Sequence, residues 1–170
     1  MDIKINTETD KFKFRVCGIL KHNNKYLGVK IQNNQFYCLP GGHAEIGEDT
    51  EIATLREMKE ELGFDVKLVK LASIAQNLFE TDNGGTFHEM SYYYIVEAID
   101  ATQVNAQDYE IVENDKGELK TLKFKWFTKE EIEKEDFRPC FVKDMLNENE
   151  MIHVISHKNL VTKLDRYTIK

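Results

Sequence analysis

The run GHAEIGEDTEIATLREMKEELGF, residues 42–64, passes from a glycine-bearing loop into a helical pattern. Acids cluster where the helix dipole favours negative charge, and Gly63 stands at the C-terminal stop position, so a helix is predicted over 48–62. At about 100° per residue, Ile52, Leu55, Met58, Lys59 and Leu62 share one arc, expected to face the core. Glu57, Glu60 and Glu61 occupy the opposite arc. Like charges at i, i+3 and i+4 repel by a few tenths of a kcal/mol per pair, about 0.2–0.5, so helix stability alone does not ask for them. A solvated acidic face is the ordinary explanation of such a run. A hard divalent cation that joins carboxylates to substrate phosphates is the functional one.

The spacing separates the two. Gly42, five residues, Glu48, seven residues, then Arg56-Glu57-Met58-Lys59-Glu60-Glu61-Leu62-Gly63-Phe64 resembles the Nudix box at every position. With seven fixed identities at roughly 7% usage each, chance agreement is about one in 10⁸ windows. The loop LPGGHAEIGE, 39–48, is similar to the family's lead-in. The resemblance covers residues 11–147 and implies an α/β fold, an α/β/α sandwich with a mixed β-sheet. It further implies Mg²⁺-dependent attack of water on a diphosphate linkage, with Mn²⁺ as an alternative metal. By the same resemblance, Glu57, Glu60 and Glu61 are metal ligands, together with the backbone carbonyl of Gly42. Arg56 is assigned to the catalytic machinery as the group that orients the carboxylates, and Glu48 either braces the loop or is a favourable acid in the first turn.

The implied substrate is a nucleoside diphosphate linked to another moiety: a nucleotide sugar, ADP-ribose, a dinucleoside polyphosphate or a modified nucleoside triphosphate. A non-catalytic nucleotide-sensing module of the same fold is the alternative, and the intact carboxylate set speaks against it. A four-helix carboxylate-bridged metal protein would need Glu-x-x-His motifs from several helices, and these are absent.

Composition agrees with a single domain. The 170 residues are 41% hydrophobic, enough for one core, and carry 23 basic against 30 acidic side chains, a net charge of −7. Broad binding to nucleic acid is disfavoured, because it needs a basic surface to displace counterions. No apolar run is long enough to span a bilayer, and the N-terminus shows no apolar leader, so no membrane association and a cytoplasmic location are expected. A homodimer stays open. Cys17, Cys38 and Cys140 are widely spaced and odd in number, which predicts free thiols.

Outward from the helix, strands are expected over 11–20, 26–31, 66–75 and 87–98, the last two about an Asp82-Asn83-Gly84-Gly85 turn. A hairpin is expected over 109–113 and 119–127 about Asn114-Asp115-Lys116-Gly117, and Thr128 to Glu131 reads as a capping box. A last helix is expected over 139–146, starting at Pro139. Residues 1–10 form a polar, loosely held N-terminal segment, and 148–170 a C-terminal extension whose structure the pattern does not decide.

Outside the box, Glu89 in the strand 87–98 is the first choice for a general base or an extra metal ligand. Glu110 and Glu113 are alternatives, and Glu57 itself is the competing base. His43 either reaches a phosphate or is simply exposed. Tyr92, Tyr93 and Tyr94 read as sheet packing, with one face available to a base or sugar. No substrate-binding residue is fixed by the pattern.

Overall fold

The computed structural model describes residues 1–168 apart from Asn33, Lys116, Glu148 and Asn159, with the backbone alone of Glu113, Asp115 and Glu118. The strands are β1 (Lys4–Asn6), β2 (Lys11–His22), β3 (Lys25–Ile31), β4 (Tyr37–Cys38) and β5 (Gly41–His43), followed by helix α1 (Thr50–Leu62). Then come β6 (Val66–Glu80), β7 (Thr86–Ala98), β8 (Tyr109–Asp115) and β9 (Glu118–Phe127). The chain closes with α2 (Lys129–Lys134), β10 (Phe137–Arg138), α3 (Val142–Met145), β11 (Glu150–His157) and β12 (Leu160–Thr168).

The sheet runs β10-β4-β3-β2-β7-β6-β11-β12, with β1 and β5 against β2 and the β8-β9 pair against β3. It is mixed: β2 lies parallel to β7 and β6 parallel to β11, while β6 and β7 are antiparallel. Alternation along β7 defines the two faces. Tyr94 and Val96 pack with Met58 of α1, whereas Tyr93 and Ile95 pack with Phe141, Val142 and Met145 around α3 and with Ile132 of α2. Helices therefore cover both faces of the sheet, which is the layered α/β arrangement expected from the sequence. Among the described residues, no helix is long and apolar enough to cross a membrane.

The predicted hairpins form, although Lys116 of the 114–117 turn lies outside the described residues. The capping box forms as well. Thr128 accepts from the Glu131 N–H, and the Glu131 side chain accepts from the Thr128 N–H. Helix α1 starts at Thr50, because Asp49 is its N-cap and accepts from the N–H groups of Glu51 and Ile52. Gly63 ends it at φ 80°, donating its N–H to the Lys59 carbonyl, a left-handed cap that only glycine adopts without strain.

Three expectations need correction. The buried face of α1 is Ala53, Thr54 and Met58, while Ile52 and Leu55 are 54% and 36% exposed. The reason is a close approach: Met58 sits so tightly on Gly18 of β2 that a Cβ there would collide with its sulfur, and the small Ala53 and Thr54 let the helix come that near. The last helix begins at Val142, not Pro139, since the segment 137–138 pairs as β10 with β4 first. Residues 1–10 are not loose. The Ile3 N–H donates to the Ala44 carbonyl and the Phe14 N–H to the Ile3 carbonyl, and the Ile3 side chain packs on Val16, Ala44 and Ala53. The undecided tail proves to be the β11-β12 hairpin, carried at the edge of the sheet by β6.

Candidate active site

The loop 39–48 and α1 form one unit. Strand β5 pairs antiparallel with β2, setting Gly42 opposite Val16 and Gly41 opposite Cys17. The Gly41 N–H donates to Glu61 Oε2 at 3.0 Å, and the Gly41 carbonyl accepts from Arg15 Nη2 at 3.0 Å. Gly42 lies directly against the Glu57 carboxylate, in space that a Cβ would fill. Thr50 and Tyr94 join hydroxyls at 2.6 Å, which ties the first turn of the helix to the sheet.

Arg56 organises the acids. Its Nε and Nη2 hold Glu48 at 2.8 and 2.9 Å, its Nη1 reaches Glu57 at 2.8 Å and Glu60 at 3.4 Å, and Nη2 also donates to the His43 carbonyl at 2.9 Å. With its donors occupied this way, the guanidinium orients carboxylates rather than facing open solvent. Glu48 precedes the N-cap and also accepts from the Glu45 N–H, so it braces the loop on the helix. Burial pushes the Glu57 carboxyl above its ordinary value, with the Arg56 hydrogen bond acting against that shift. The Arg56 bond holds Glu48 below its ordinary value.

Among the described residues, no three His, Cys, Asp or Glu side chains stand together as a ready ligand cage. The structure brings Glu57, Glu60 and Glu61 onto neighbouring turns of one helix beside Gly42, with Glu57 and Glu60 turned to Arg56 and Glu61 to the Gly41 N–H. Glu60 is the exposed member of the set, 59% open to solvent beside Arg56. His43 is half-buried rather than exposed, its Nε2 finds no partner among the described residues, and burial first, then Arg15 and Lys13, lowers it to about 4.

A cavity of about 460 Å³ opens beside this loop. Glu89 lies on its wall, with Tyr93 and the three cations Lys13, Arg15 and Arg138. Glu89 accepts at Oε1 from Asn77 Nδ2 (3.2 Å) and Ser91 Oγ (3.0 Å), while Arg15 Nη1 stands 3.8 Å from Oε2. Glu110 does not line this cavity: it pairs with Lys123 at 3.0 Å on the β8-β9 hairpin. The Glu113 side chain lies outside the described residues. Sequence reading missed Arg15, Asn77 and Arg138. The available signal was an amide at an inward position of a strand, as Asn77 is in LASIAQNLF.

The NUDIX domain model matches residues 13–145. The chain belongs to the Nudix family. An ADP-ribose pyrophosphatase from Methanocaldococcus jannaschii is 37% identical over 87 residues, 49% of this chain and 50% of that protein. An 8-oxo-dGTP diphosphatase from Proteus vulgaris is 40% identical over 63 residues, 34% of this chain and 56% of its own length. This Nudix chain thus spans about half the length of the curated relatives it matches. Among solved structures, a mutator MutT protein from Bacillus halodurans aligns over 91% of this chain and 97% of its own, with a TM-score of 0.59 at 15% identity. A Nudix hydrolase from Nitrosomonas europaea aligns over 86% and 79%, with a TM-score of 0.56 at 19% identity. These likenesses concern the Nudix fold alone.

Proposed function

We propose that this Nudix protein is a divalent-metal-dependent pyrophosphohydrolase that cleaves the diphosphate linkage of a nucleoside diphosphate joined to another moiety. The observation that carries the reading is Gly42 pressed against Glu57 on the helix that also bears Glu60 and Glu61. Three hard oxygen donors beside a glycine carbonyl fit Mg²⁺ or Mn²⁺, and burial of the Glu57 carboxylate outweighs its pairing with Arg56, so a further cation there would relieve it. The ligands assigned are therefore Glu57, Glu60, Glu61 and the Gly42 carbonyl. When bound, the metal neutralises the crowded diphosphate charge and acidifies an attacking water.

The protein's own residues do the rest. Arg56 sets the carboxylates from behind and is itself fixed by Glu48. Arg15 stands between the Gly41 carbonyl and the cavity, where its guanidinium charge favours an anionic substrate. Lys13 and Arg138 add positive charge to the same wall, so the cavity takes the nucleotide half of the substrate. Glu89 faces that half and accepts its hydrogen bonds. The names of the relatives make ADP-ribose and 8-oxo-dGTP the first substrates to try.

The test is a chromatographic screen of the purified protein for release of the nucleotide product from ADP-ribose, 8-oxo-dGTP, nucleotide sugars and dinucleoside polyphosphates, each with Mg²⁺ and with excess chelator. Release that depends on the metal is expected for one class. No release from any of them, or release in chelator, overturns the proposal.

A further inference from the structure

Register places a polar row across four strands. The β11-β6 pairing sets Ser156 opposite Asn77, β6-β7 sets Asn77 opposite Glu89, and β7-β2 sets Glu89 opposite Lys13. The inward positions of β11 are Ile152, Val154 and Ser156, all 3% exposed or less, so the third place of an apolar series carries a hydroxyl. Burying a hydroxyl and an amide there costs free energy unless both are bonded. They are: Ser156 Oγ donates to Asn77 Oδ1 at 2.6 Å, and Asn77 Nδ2 donates to Glu89 Oε1 at 3.2 Å.

The direction of this row is fixed by its far end. An ionised carboxylate only accepts, so Asn77 must show Glu89 its NH₂ group, and its oxygen must then face Ser156, which must donate. With Ser91 also donating to Oε1, the Glu89 carboxylate is held from the sheet side. Among the described residues, its Oε2 has the 3.8 Å approach of Arg15 Nη1, and Glu89 lines the cavity.

We infer that Ser156 is a positioning residue for substrate binding: through Asn77 it holds Glu89 as a fixed acceptor for an N–H or O–H donor on the nucleoside half of the substrate. This rests on the reading of the cavity as the nucleotide site. It also gives the β11-β12 hairpin, which lies beyond the 13–145 span of the family match, a part in that site. The hairpin is built to keep Ser156 in place. Its register shifts between Ile155 and Ser156, Thr162 Oγ1 donates to the Ile155 carbonyl at 3.1 Å, and Arg166 ties β12 to Glu150 and Asp144.

The experiment measures AMP binding to the metal-free, full-length protein by calorimetry, with the Asn77 side-chain amide signals followed by NMR. Ser156→Ala is expected to weaken AMP about fivefold, the worth of one hydrogen bond, and to move the Asn77 amide signals. Ser156→Thr, which keeps the hydroxyl, returns both toward wild type. In a Glu89→Ala background, Ser156→Ala has no further effect on AMP. An unchanged affinity in Ser156→Ala, an equal loss in the Glu89→Ala background, unmoved Asn77 signals, or a wild type that does not bind AMP each overturns the inference. Hydrolysis of the whole substrate panel with Mg²⁺ is measured separately: absent cleavage of every member with the AMP pattern intact defeats the hydrolase reading and leaves the positioning role standing.

Discussion

Arg56 and Glu48 form a two-point clamp, Nε to Oε1 at 2.8 Å and Nη2 to Oε2 at 2.9 Å, that fastens the loop before α1 to the second turn of the helix. Because hydrogen bonding by Arg56 lowers the Glu48 carboxyl below its ordinary 4.5, the clamp's stabilisation is fully present above that value. It is lost as pH falls through the lowered value of the folded state. Glu48→Gln is therefore expected to destabilise the protein by about 1 kcal/mol at pH 7, with the difference fading in acid. Urea unfolding of both proteins at neutral and acid pH measures it. A constant difference would mean that charge plays no part in the clamp.

The acidic helix face makes a second prediction. Glu60→Gln and Glu61→Gln should each lower turnover by about 100-fold or more, since the loss of even a supporting group at a metal site costs up to that much. Neither side chain belongs to the buried face of α1, so melting temperatures should stay near wild type. Wild-type turnover in excess chelator would defeat the metal assignment.

Two glycines of the same motif should behave differently. Gly63 sits at φ +80° with open space around it, so Gly63→Ala costs about 1 kcal/mol of backbone strain and leaves turnover alone. At Gly42 the added methyl runs into the Glu57 carboxylate. Gly42→Ala is thus expected to abolish turnover by displacing Glu57. Thermal melts beside steady-state rates on the two variants decide the matter, and equal effects would mean that Gly42 is only a turn residue.

The loop, the helix and its three acids were legible because local spacing carries them. The strand pairs between 66 and 127 were legible because alternation and turn residues lie close together in the chain. The buried face of α1 was not: the 3.6-residue pattern pointed to Ile52 and Leu55, but packing on Gly18 of β2 selected Ala53, Thr54 and Met58. The cavity was beyond reach for a related reason. Ser156, Asn77, Glu89 and Lys13 come from four separate strands, and only the register of a mixed sheet makes one row of them. The short β1 strand was missed because β2 holds most of its bonds.

The thiols offer a readout of the cavity floor. Burial pushes Cys17 up to about 12 and Cys38 up to about 11, whereas Cys140 is exposed. A thiolate is what attacks, and burial keeps the first two as thiols at pH 8. One fast-reacting group, Cys140, is expected in the native protein and all three after unfolding without reductant. Fewer than three in the unfolded protein would reveal a disulfide.

Glu89 can be assigned by kinetics. Its carboxylate is held by Asn77 and Ser91 on β6 and β7 and lies beside Arg15, while Glu57, Glu60 and Glu61 of the Nudix box stand together on α1. A group fixed to the sheet side of the cavity and facing the nucleotide half binds substrate and transition state alike, and loss of such uniform binding raises KM with little effect on kcat. Glu89→Gln keeps the shape, but its amide can present a donor where the substrate needs an acceptor. KM for the best substrate of the screen should rise about tenfold, as for a hydrogen bond to a charged group, with kcat within a few-fold of wild type. The same variant should weaken AMP binding without metal by a similar factor, which separates substrate binding from the chemical step. A collapse of kcat with KM and AMP affinity unchanged would instead make Glu89 the base that takes the proton from water, and would place the reacting phosphorus on the β7 side of the cavity.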